Sequence, residues 1–223
     1  MAAFLANVGV NAGHAARSPL FDDGTFALLP IPERCPWREP MLRFRDLARL
    51  HIYVPGSWCQ LGAHLDPDLT SPTPTYGDNC RRAGRAFSLR RARRGDLIVF
   101  LARLHATDKT AGFHLVGHLE VDDVLEDVSR EPGPGWWDGN AHVRRARATG
   151  GWDEFWVFKG TAKSGPLERA IAFGRRETEL LFGEARTRWP SHRTEPQTIG
   201  SYTRAVRRVE GRGEEWLRTA CRY

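Results

Sequence analysis

His64, Asp66 and Asp68 stand at alternate positions of the segment HLDPD, residues 64–68. On an extended chain alternate side chains project to the same side, so an H-x-D-x-D row can ligate a divalent metal or pair a base with an acid. Pro67 favours the extended path. The competing reading is a turn in which Asp66 or Asp68 accepts from nearby backbone amides, as Asp does beside Pro. A second crowded stretch, NVGVNAGHAARSPLFDDGTF, spans residues 7–26. Here His14, Asp22 and Asp23 suit general acid/base work, and Asn11 and Arg17 suit a clamp on sugar and phosphate, with Arg17 the phosphate partner. An Asp-Gly turn at DDGT is the plainer account of Asp23.

Binding chemistry is written in two further segments. In TYGDN, residues 75–79, Tyr76 could stack on a base or pack in a core, and Asp78 could meet a ligand or cap a following helix. In GWWDGNAH, residues 135–142, adjacent Trp136 and Trp137 precede Asn140 and His142. Loop tryptophans beside an amide can sandwich a planar base and bond to its edge; they also plug gaps over a core.

Arginine dominates the cations. The net charge is +6, with Lys only at 109, 159 and 163. Guanidinium groups hold phosphate in bidentate fashion, so the balance points to a nucleotide or nucleic-acid partner, although a coding bias toward Arg has the same effect. The run CRRAGRAFSLRRARRGD, residues 80–96, carries Arg81, Arg82 and Arg85, with Ala83, Ala86 and Phe87 as an apolar stripe that predicts a helix with a basic face. Arg144 and Arg145 in HVRRAR form a second cluster, and Arg204, Arg207 and Arg208, expected on a C-terminal helix, a third. Together they could follow a phosphate backbone, while each alone reads as a solvated face.

The elements that must position these groups alternate in type. Strands are expected at 3–10, 25–31, 96–104, 113–121 and 154–160, with the third and fourth as neighbours. Residues 42–50 are ambiguous between helix and strand. Helices are expected to begin at LERAIAF, residues 167–173, and to fill the tail through TIGSYTRAVRRV and GEEWLRTACRY. His114 and His118 of HLVGH are read as strand residues on one sheet face, too far apart to share a zinc ion. Residues 51–79 and 128–152 are long irregular insertions, where binding loops are expected.

Length and composition bound the rest. At 223 residues, 41% hydrophobic and 27% charged, residues 1–223 are expected to fold as a single α+β domain. No apolar run is long enough for a membrane helix, the first residues lack a signal-peptide core, and a cytoplasmic setting is expected. Cys35, Cys59, Cys80 and Cys221 form no C-x-x-C pair and read as reduced thiols. No P-loop, nucleophile elbow or dinucleotide fingerprint is present.

Taken together, NVGVNAGHAARSPLFDDGTF, PIPE, HLDPD, TYGD, GDLIVFLARL, LVGHLEV, GNAH and QTIGSYTR resemble the third of the nucleotide-modification-associated domain families. That resemblance covers nearly the whole chain. It implies action on a nucleotide or nucleic acid, DNA foremost, in bacteria or phages, in company with other DNA-modification proteins. It implies neither a reaction nor a cofactor. A looser similarity, Gly95–Phe100 followed by Leu115–Val121, is to PUA-like domains of the ASCH and EVE type, and implies a curved, partly barrel-like mixed sheet with a base pocket.

Two functions follow as alternatives. One is an enzyme that modifies a nucleotide or DNA base in a pocket built from loops 11–26, 64–78 and 136–142. The other is a reader of altered bases in DNA or RNA without turnover, using Tyr76, Trp136, Trp137, Asn140 and His142.

Overall fold

The computed structural model describes residues 1–33, 42–47, 49–82 and 84–221. Cys35, Ala83 and one residue of the ambiguous segment, Ala48, lie outside the described residues. Among the described residues ten strands and four α-helices follow one another as β1 (Ala3–Asn7), β2 (Ser18–Pro19), β3 (Ile31–Glu33), β4 (Gly62–His64), β5 (Thr75–Asn79), β6 (Leu97–His105), β7 (Ala111–Val128), α1 (Ala141–Thr149), β8 (Phe155–Gly160), β9 (Gly165–Phe173), α2 (Arg175–Phe182), α3 (Glu195–Tyr202), β10 (Arg207–Val209) and α4 (Arg212–Ala220). The class is α+β. Eight strands form one mixed sheet with the path β10-β1-β6-β7-β8-β5, β2 adding to β6 and β9 to β7, and β3 and β4 make a separate pair. The sheet is open and does not close into a barrel.

The run LIVFLARLH makes β6 the centre of this sheet, because such a run is buried on both faces. Leu97, Val99 and Leu101 turn toward one core, shared with Ala3 and Leu5 of β1 and with Ile199 and Leu217 from α3 and α4. Ile98, Phe100, Ala102 and Leu104 turn toward the other, shared with Phe4, Tyr76, Trp156 and Phe158. The strand expected beside β6 is there: β7 pairs with it antiparallel.

A bulge in β7 changes which residues face which core. The β6 register slips between Phe100 and Leu101, where Gly117 gives way to Leu115 as the partner. Phe113 and Leu115 therefore pack in the first core, whereas Leu119 and Val121 pack in the second. An extra residue reverses the alternation beyond it, so His114 and His118 lie on opposite faces of the sheet and not on one. Past the bulge the strand continues as the partner of β8, which binds β5 in turn.

Four other expectations are corrected. Residues 165–173 form β9, held by pairing along β7 from Phe113↔Phe173 to His118↔Gly165, and that ladder overrides local helix propensity. The arginine-rich run 80–96 forms no α-helix among its described residues. A five-residue 3-10 turn at Phe87–Arg91 is its regular part. The apolar stripe covers about one turn, too little to offset helix nucleation. Residues 25–30 are irregular apart from a bridge between Leu20 and Phe26, and Arg207 and Arg208 lie on β10, not on a helix.

Candidate metal centre

Three segments bring the chemistry together. β3 and β4 pair with Ile31 opposite His64 and Glu33 opposite Gly62, which sets Glu33 diagonally across from His64 on the same face. The chain then bends. The peptide before Pro67 is cis, and the two carboxylate oxygens of Asp66 accept from the Gly77 N–H at 3.0 and 2.9 Å. From the other side comes α1, whose second residue is His142. Asn140 caps that helix: its Oδ1 accepts from the His142 N–H at 3.0 Å while its Nδ2 donates to Thr75 Oγ1 at 3.1 Å. Asn140 is fully buried, so Asn140→Ala is expected to lose about 1–2 kcal/mol in urea unfolding and to loosen the first turn that carries His142.

The result is a compact triangle. His64 Nε2 and His142 Nε2 are 3.2 Å apart, His142 Nε2 and Asp66 Oδ2 are 3.2 Å apart, and His64 Nε2 and Asp66 Oδ2 are 3.8 Å apart. The side chains of His64, His142 and Asp66 are 11%, 12% and 2% exposed, so the imidazoles form the outer rim and the carboxylate the floor. Behind His64, its Nδ1 lies 2.7 Å from Glu33 Oε1. Arg145 Nη1 stands 3.7 Å from the same oxygen, and Arg145 Nη2 donates to Asp153 at 3.1 Å.

Burial governs the charges here. It pushes the Asp66 carboxyl up to about 8 against the pull of His64 and the Gly77 N–H. It pushes the His142 imidazole down to about 4, with the Arg145 charge acting in the same direction. Burial also opposes charge on Glu33, but the hydrogen bond and charge of His64, then Arg145, outweigh it and hold that carboxyl below its ordinary range. Two nitrogens and an oxygen thus converge on one point.

The remaining singled-out residues fall elsewhere. Asp68 accepts from the Thr70 and Ser71 N–H groups in a turn, and its backbone bridges Thr75. The opening loop folds on itself: Asn11 Oδ1 accepts from Gly13, His14 Nδ1 accepts from Asn11, and Arg17 donates to the carbonyls of Ala12, His14 and Ala16. Asp22 accepts from Thr107 Oγ1 and Asp23 from Thr25, as turn chemistry requires. Trp136 and Trp137 lie over Val128, Val143 and Phe155, with their indole N–H groups donated to Asp123 and Gly133. Tyr76 is buried against Phe100 and Phe158 and donates to Asp78, which also accepts from Arg85 and so caps no helix. Arg81 bonds to Asn79, Arg82 is exposed, and Arg144 lines a small void with Asp68.

A larger groove of about 570 Å³ runs beside the β3–β4 pair. Arg85, Arg103 and Arg204 line it with Asn7, Asn11 and Gln197. Ile31, directly opposite His64 in the strand pairing, is also in its wall. Glu33, Gly77 and Arg103 are the site residues that sequence reading does not single out. Glu33 sits in an unremarkable IPE triplet, Gly77 reads as a turn, and Arg103 reads as one more strand residue.

Among the described residues no helix is long and apolar enough to cross a membrane. No curated protein and no solved structure matches the chain. One family model does, over residues 3–220, and by that match the chain belongs to the family of nucleotide modification associated domain 3.

Proposed function

We propose that the protein modifies a nucleobase in DNA, with the phosphate-bearing strand lying along the arginine-lined groove and the base presented to His64, Asp66 and His142. The observation that carries this reading is the meeting of those three side chains at one point, from positions as far as 78 residues apart, in a chain of a nucleotide-modification family. Clusters of this kind serve proton transfer and metal-assisted chemistry. The groove supports the same reading. The Nε of Arg103 is buried with no hydrogen-bond partner among the described residues, a donor suited to a phosphate oxygen. Arg81 and Arg82, exposed beside Arg85, extend the positive field beyond what a free nucleotide needs, which favours a polymer. The proposal carries with it a cytoplasmic setting alongside other DNA-modification proteins.

The test is direct. Free nucleotides and oligonucleotides with ordinary and altered bases are incubated with the protein under varied metals and cosubstrates, and nucleoside masses are measured. A mass change is expected, lowered about 100-fold or more by Asp66→Ala. Binding with no mass change under any condition would overturn the enzyme in favour of the reader. For the groove, Arg103→Ala and Arg204→Ala are each expected to weaken DNA binding across all sequences and to reduce the salt slope by about 1.

A further inference from the structure

We infer that His64 Nε2, His142 Nε2 and Asp66 Oδ2 are the protein ligands of one divalent first-row transition-metal ion, with Glu33 as the partner that orients His64. The inference uses the residues of the function proposed above; it rests on that reading for the purpose of the metal and not for its binding.

Distance is the first argument. Metal–nitrogen and metal–oxygen bonds of about 2.0–2.2 Å at the tetrahedral angle separate donor atoms by about 3.3–3.6 Å. The observed separations are 3.2, 3.2 and 3.8 Å. A circle through the three atoms has a radius of about 2.0 Å, so an ion at or just off its centre meets all three at bonding length.

Proton arithmetic is the second. A His64 ring that directs its Nδ1 hydrogen toward Glu33 leaves Nε2 with a bare lone pair facing His142 and Asp66. Asp66 already accepts from Gly77 with both oxygens. The one proton that His142 could place on Nε2 serves a single neighbour, and its Nδ1 is itself buried with no partner among the described residues. A proton on Asp66 or on a ring nitrogen bridges one pair of these atoms at a time, whereas a cation at their centre bonds to all three at once.

The third is the surrounding structure. A carboxylate behind one ligating imidazole fixes its tautomer and raises its basicity, as metal centres commonly arrange. Two imidazoles and one carboxylate on one side of an ion leave further positions open on the rim, the pattern of zinc hydrolases and non-haem iron enzymes in place of a closed structural site. Among the described residues no thiolate takes part: Cys59, Cys80 and Cys221 lie outside the cluster.

The full-length protein is stripped with chelator, exposed to Zn²⁺, desalted and assayed for metal, with no nucleotide present. One zinc per chain is expected. Asp66→Asn and His142→Ala are each expected to abolish retention, and Glu33→Gln to weaken affinity about 10–100-fold while the other ligands remain. Because a cluster variant could unfold, X-ray absorption at the zinc edge of the wild-type protein supplies a reading that needs no substitution. Two imidazoles and an oxygen are expected in the coordination shell. Failure of the wild type to retain zinc, retention unchanged in both ligand variants, or a shell without two imidazoles would each overturn the assignment. Stoichiometric zinc with no base conversion would leave the metal centre standing and count against the function proposed above.

Discussion

Gly77→Ala is expected to disable the site more completely than its size suggests. A Cβ at that position would lie 2.6 Å from His142 Cδ2, 3.0 Å from Asn140 Oδ1 and 3.1 Å from Asp66 Oδ2. Each of those atoms belongs to the cluster or to its cap, and none is the loose end of a flexible chain. The imidazole is carried on the first turn of α1, Asn140 is held by Thr75, and Asp66 is held by the very N–H of residue 77. Relief requires α1 to move away from β5, which separates His142 from Asp66. Overpacking of this kind costs about 1–3 kcal/mol, and the added methyl is expected to lower zinc retention and base conversion at least tenfold. Gly139→Ala is the matched control, because a Cβ there meets nothing within 4 Å. Denaturant unfolding together with metal assay decides the matter: wild-type retention in Gly77→Ala would mean that the strand and helix are not packed as described.

The second large effect is expected at Asp78, on the opposite face of β5. Its Oδ2 accepts from the Tyr76 hydroxyl at 2.7 Å and from Arg85 at 2.9 Å, and its Oδ1 from the Asn79 N–H at 2.8 Å. Asp78→Ala strands a buried hydroxyl and a guanidinium together. Removing one member of a fully buried ion pair costs about 3–5 kcal/mol. The Arg85 side chain is 48% exposed and can turn to water, so a loss of about 2–3 kcal/mol is expected. Asp78→Asn, which retains an acceptor for the hydroxyl, is expected to lose about half as much. Chemical denaturation of the three proteins measures it, and a loss below about 1 kcal/mol in Asp78→Ala would show that the trio contributes little. The freed Arg85 also faces the groove, so DNA binding by Asp78→Ala is expected to hold or strengthen even as stability falls.

Sequence periodicity identifies the parts of this fold that depend on local pattern. The continuous apolar run of β6 and its antiparallel neighbour are legible, as are helices in the tail, where Thr194 and Gln197 form a capping box ahead of α3. What pattern cannot show is decided by partners distant in the chain. β9 carries a segment with good helical spacing, yet its ladder to β7 prevails. The reversal of faces in β7 follows from one extra residue in an otherwise regular alternation.

The site divides in the same way. His64, Asp66, Asn140 and His142 stand out by type, but two of them lie in one long insertion and two in another, and nothing in their spacing says that they meet. Asp68 shares the alternation of His64 and Asp66 and still departs, because its carboxylate is taken up by the N–H groups of Thr70 and Ser71. The acids of the opening loop are equally prominent by type and are taken up by Thr25 and Thr107. Glu33 has no distinguishing context at all until the β3–β4 register puts it across from His64.

The 78-residue span between His64 and His142 bears on how the protein comes into being. A chain still emerging from the ribosome has made both acid and first imidazole long before the second exists, and closing so wide a loop is rewarded only once β5, β8 and α1 have docked. On the function proposed above, reactivity is therefore withheld until α1 has docked, and fragments ending short of α1 are expected to lack it.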